Sequence, residues 1–128
     1  MGKVLSAILG ALFVAFIFTV GGEVDGKLFP VAGETTFGLV EPVGAIHSRI
    51  YGDSEKLRDC EFVRLEFRTS GGTVAPVSFE EGTVDRGAGG FGFGPWLVQM
   101  TPEQLANATV TSYHRCHRLW LTQSRWYP

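Results

Sequence analysis

Residues 60–69 read CEFVRLEFRT, and their alternation decides the fold class. Val63, Leu65 and Phe67 fall on one side of an extended chain, with Arg64, Glu66 and Arg68 on the other. A strand with one dry and one wet side belongs to an antiparallel sheet. Ser70-Gly71-Gly72 follows as a hairpin turn into a return strand over residues 73–79, with Ala75, Val77 and Phe79 inward. Pro76 has no donor N–H, so this return strand is expected at an edge or bulged.

The same short-strand pattern extends in both directions. Residues 37–40 and 44–51 read as strands separated by Pro42, and residues 96–100 as a short apolar strand. A helix signal follows: Thr101 as N-cap, Pro102 at the first helical position and Gln104 placed to complete a capping box. The expected helix over residues 102–106 is a connector. Residues 107–115 alternate again, and residues 119–122 either continue that strand or turn back. Fifteen of the 17 glycines lie from Gly21 onward and punctuate runs rich in Val, Phe, Thr and Tyr. Six to eight short strands with no internal repeat predict a compact antiparallel β-sandwich.

Ahead of this domain stands VLSAILGALFVAFIFTV, residues 4–20, with Lys3 before it and Glu23 and Asp25 after it. The run is 17 residues, or 19 with Gly21 and Gly22. Nineteen residues at 1.5 Å each span about 28 Å, close to a hydrocarbon core of roughly 30 Å. The flanking charges orient the N-terminus to the cytoplasm. An uncleaved single-span anchor and a signal peptide cut after Gly21 both fit, and both place residues 23–128 outside the cytoplasm. The run has no polar stripe, which argues against a core helix. Residues 1–22 are therefore the anchor or signal, and residues 23–128 the exported domain.

Composition narrows the function classes. The chain has 128 residues, 45% of them hydrophobic, with a net charge of −2. That length holds one domain, and the apolar content excludes a disordered chain. No basic field is present for binding nucleic acid through its phosphates. The two cysteines, Cys60 and Cys116, are too few for a Cys₄ zinc site, and outside the cytoplasm they are expected to form a disulfide. The bridge would close a loop that the chain-entropy model values at about 4 kcal/mol.

Residues 114–118, HRCHR, form the densest polar cluster. One reading is a disulfide end flanked by solvated side chains, with Arg115 and Arg118 (and Arg125 nearby) free to grip an anionic partner. The alternative is a metal or small-ligand site using His114 and His117, which requires a reduced Cys116 and a fourth ligand, His47 or Asp59, from another strand. Covalent haem lacks its Cys-x-x-Cys-His motif. Gly87, Gly89 and Gly92 match G-x-G-x-x-G, but no helix signal follows for a pyrophosphate, and no Lys-Ser or Lys-Thr completes a P-loop. This glycine-rich stretch reads as a loop whose Phe91 and Phe93 insert into a partner or membrane surface, or tuck back over the core.

No G-x-S-x-G elbow is present, and Glu80 and Glu81 would point to opposite faces of a strand. No catalytic residue and no cofactor is expected, so the protein reads as a non-enzyme. Asn107-Ala108-Thr109 matches a glycosylation acceptor. Trp120, Trp126 and Tyr127 either cap the core or form an interfacial aromatic belt.

LRDCEF (residues 57–62), FGPWLVQMTPEQL (residues 93–105) and HRCH (residues 114–117) together resemble small exported proteins of bacteriophages and prophages of proteobacteria, whose function is unassigned. The resemblance implies a periplasmic destination and carries no catalytic residues. The expected function is a membrane-anchored accessory module, held through residues 4–20, that contacts another envelope or phage protein.

Overall fold

The computed structural model describes residues 1–79 and 87–127. The chain begins with helix α1 (Gly2–Leu28). Strands β1 (Thr36–Val43), β2 (His47–Lys56) and β3 (Glu61–Arg68) follow, then β4 (Val74–Ala75), β5 (Val77–Phe79) and β6 (Gly89–Val98). Helix α2 (Pro102–Ala106) leads into β7 (Thr109–Arg115) and β8 (Thr122–Tyr127). The strands form two four-stranded antiparallel sheets, ordered β1-β2-β6-β5 and β4-β3-β7-β8. Between them lies a core containing Ile50, Leu65, Phe67, Val98, Val110 and Trp126. This is the mainly β, sandwich-like architecture expected from the alternating runs.

Two prolines end up where a missing N–H does least harm. Pro42 lies inside β1, an edge strand, rather than between two strands. Pro76 divides the expected return strand: Ala75 pairs with Phe67 in one sheet, while Val77 pairs with Val98 in the other. Both fragments are edge strands, and the Pro76 carbonyl accepts the Gln99 N–H at 3.0 Å. One residue that cannot join a ladder thus becomes the corner where the chain changes layers.

Strand β3 departs from strict alternation. A register shift between Phe62 and Arg64 turns Val63 outward and brings Phe62 in. The Phe62 ring then meets Phe79 at 6.2 Å and His114 at 5.6 Å. Leu65 and Phe67 stay buried as expected. A bulge changes the face of every residue on one side of it, which is why Phe62 and Val63 exchange faces while Leu65 and Phe67, beyond it, hold.

The glycine-rich stretch is also corrected: from Gly89 onward it is strand, not loop. Gly90, Gly92 and Gly94 alternate with Phe91 and Phe93, a period of two that places both rings on the core face. Phe93 is buried and stacks on Trp96 at 4.5 Å. Opposite it stands Gly52, where a Cβ would come within 2.6 Å of the Phe93 ring. The pair Glu80-Glu81 lies outside the described residues. Helix α2 matches its expected bounds, and both halves of the Thr101–Gln104 capping box form. The last strand begins at Thr122, so the segment after β7 turns back.

Candidate functional site

Two features of the structure bear on function: the junction between α1 and the sandwich, and a cavity between the sheets. The helix contains an 18-residue window of mean hydropathy 2.5, none of it buried by the rest of the chain. It is long and apolar enough to cross a membrane. The hydroxyl of Thr19, near the end of the apolar run, donates to Ala15 O at 2.9 Å and so is satisfied within the helix.

The helix does not stop at Gly22 but continues to Leu28, and its last two turns pack on β8. Gly22 and Gly26, four apart and therefore on one face, make this approach possible. A Cβ at Gly22 would overlap the Leu121 carbonyl oxygen, and one at Gly26 the Gln123 carbonyl oxygen. Four helical residues advance about 6 Å and two strand residues about 6.6 Å, so these paired contacts require helix and strand to run alongside each other in the same direction.

Asp25 sits between those glycines, half-buried, five residues past the apolar run. Thr122 Oγ1 donates to its Oδ2 at 2.6 Å, Trp120 Nε1 donates to Oδ2 at 3.5 Å, and Arg58 Nη1 approaches Oδ1 at 3.3 Å. Arg58 also donates to Phe29 O at 2.9 Å, closing the C-terminal end of the helix. The following residues join both layers. Val31 N–H donates to Ser124 Oγ at 2.8 Å in one sheet, and Leu57 N–H to Val31 O at 2.6 Å beyond the end of β2 in the other. The helix is thus joined to the sandwich through polar contacts that range from buried to exposed.

Burial by itself would raise the Asp25 carboxyl, but the hydrogen bonds from Thr122 and Trp120 and the Arg58 guanidinium outweigh it and hold it below its ordinary range. A depressed folded value contributes stability that is complete above an unfolded Asp value of about 3.9 and is lost as the pH falls through the depressed one. We expect the acid limb of the urea-midpoint profile below about pH 4 to flatten in Asp25→Asn, with the wild type steeper. Parallel acid limbs would remove Asp25 from the junction.

The disulfide Cys60–Cys116 is present and joins the start of β3 to the end of β7. These strands are already neighbours, so the bridge staples one rim of a sheet rather than the two layers. That rim is the end from which α1 departs, because β8 leaves α1 and β7 returns towards it. Arg115 and Arg118 are exposed at the same end.

The sequence-derived histidine set is not brought together. His114 faces inward and is nearly covered. His117 lies outside, its ring flat on Trp120 at 4.3 Å. His47 opens β2 at the end remote from Lys56, a strand length of roughly 30 Å away. Cys116 is oxidised, and no group of three or more potential ligands could hold a metal among the described residues.

Instead His114 lines a cavity of about 150 Å³ between the sheets, with Phe62, Phe91, Phe93, Trp96 and Trp126. Val31 and Ala32, just after the helix, contribute to its wall. A mostly apolar space of that size holds one benzene-sized group, whereas drug-sized ligand sites run to about 300–1,000 Å³. At the far end of the domain, a more open groove of about 590 Å³ lies between the β3–β4 hairpin and α2, lined by Thr69, Ser70, Gln99, Glu103 and Asn107.

Sequence reasoning missed Asp25, Thr122 and Arg58 as a group. The signal available was the Gly22–Gly26 spacing around an acid immediately after an apolar run. No protein-family model matches the chain, and no curated protein or solved structure matches it. The fold defines a β-sandwich carried on an N-terminal apolar helix.

Proposed function

We propose that the protein is a non-enzymatic, single-pass membrane accessory module. Its N-terminus lies in the cytoplasm, and its sandwich is held in the periplasm to contact another envelope or phage protein. The observation that carries this reading is the unbroken helix from the apolar run into the turns docked on β8. A flexible tether would let the domain tumble, whereas this junction gives it one pose. Lys3 ahead of the span and the Cys60–Cys116 bridge beyond it support the orientation. The same continuity favours an uncleaved anchor. The end remote from the helix, with the polar groove beside α2, is then the face offered to a partner.

Intact mass of the protein from washed membranes tests the anchor, with Met1–Gly22 expected to remain. A photo-cross-linker at Ser70 tests the pose: one stoichiometric protein adduct is expected there and none from Leu39 on the edge of the other sheet. A shortened, soluble product, or equal labelling from both sites, would overturn the reading.

The inter-sheet cavity favours a second reading, a receptor for a small apolar molecule. Saturating benzene or indole should then raise the thermal midpoint, and an unchanged midpoint removes it.

A further inference from the structure

Three C-terminal aromatics invite comparison with an interfacial belt, and the structure separates them. Trp126 is 6% exposed and meets Phe93 and Trp96 in the core. Tyr127 packs on Phe37 at 4.4 Å. Trp120 is elsewhere, on the loop between β7 and β8. Its ring occupies the space beside Gly21, where a Cβ would lie 2.6 Å from Cε3. Gly21 is the first residue after the apolar run. Because a Cα–Cβ bond tilts towards the helix N-terminus, the indole stands level with the end of that run. Its N–H points instead to Asp25, further along the helix and away from the span.

The surroundings of Trp120 agree with that level. Leu119 is 48% exposed, a large apolar side chain left half open to its surroundings. His117 lies flat on the indole and accepts the Leu119 N–H at 3.3 Å, which fixes the loop's shape. Arg118 is exposed next to them. An apolar ring with its N–H turned towards the polar side, a half-exposed leucine and an exposed cation side by side match the boundary between hydrocarbon and headgroups.

We propose that the β7–β8 loop is a second membrane contact, with Leu119 and Trp120 in the interfacial layer of the bilayer that holds α1 and Arg118 among the lipid phosphates. This rests on α1 spanning the membrane. Two contacts, helix and loop, then set the tilt of the sandwich and not only its height.

The full chain is reconstituted in phosphatidylcholine vesicles whose acyl chains are brominated either near the headgroup or near the midplane. Flotation reports the span, and tryptophan emission reports the loop. The shallow bromines are expected to quench the wild type more than the deep ones, with most of that quenching lost in Trp120→Phe. Leu119→Glu, at an exposed position, should shift the emission to the red and weaken the quenching. Flotation with no shallow quenching, or equal quenching in Trp120→Phe, would overturn the loop contact and leave the anchor standing. Absence of flotation would overturn both.

Discussion

Removing the Cys60–Cys116 bridge, as the double alanine variant or by reduction, is expected to cost the sandwich about 2–5 kcal/mol. The bonded residues are 56 apart in sequence, and the constraint acts mainly on the unfolded chain, where such a loop would otherwise sample many closures. The folded ladder remains, because β3 and β7 pair from Glu61–Arg115 through Arg68–Thr109 without the bridge. The urea midpoint should therefore fall while the far-ultraviolet spectrum under native conditions is unchanged. Against a typical domain stability of roughly 5–15 kcal/mol, that loss is a large fraction. Loosening should begin at the rim that carries Trp120 and the helix junction. An unchanged midpoint in the presence of a reductant that leaves two free thiols would show that the bridge contributes nothing.

Replacing Gly26 by valine is expected to undock α1 from β8. The atom in the way is the Gln123 carbonyl oxygen, part of a strand paired with β7 through Tyr113. Backbone held in a ladder yields less readily than a flexible side chain, so the cost should lie at the upper end of the 1–3 kcal/mol typical of overpacking. Separation would also expose Asp25 and break its contacts with Thr122 and Arg58. The helix itself should persist, because valine in place of glycine does not weaken a helix interior. A lower urea midpoint and a new protease cut between helix and sandwich are the expected signs, with helix content retained. Gly10→Val is the control, since nothing lies within 4 Å of a Cβ there. If both variants behave alike, the close approach at Gly26 is not what holds the junction.

How far the sequence reaches depends on how local the cause is. The capping box over Thr101–Gln104 was legible because every group that satisfies it lies within four residues. The Gly–Phe alternation of β6 was also there to be read, but glycine's low strand preference favoured a loop. Only pairing with β2, where Gly52 makes room for Phe93, shows why the strand is stable. The histidine cluster looked dense for the opposite reason. Proximity in sequence suggested a site, while strand alternation and the turn after Arg115 sent His114 into the cavity and His117 out onto Trp120.

From the residues alone came the apolar run, the short alternating strands, the connector helix and the paired cysteines. Length, period, caps and cysteine number are properties of neighbours along the chain. Tertiary structure decided that Phe62 and not Val63 enters the core, that the chain changes sheets at Pro76, and that Asp25 meets Thr122, 97 residues away. Those outcomes follow from register and from the close approach of distant backbones, which depend on partner segments that no local pattern encodes.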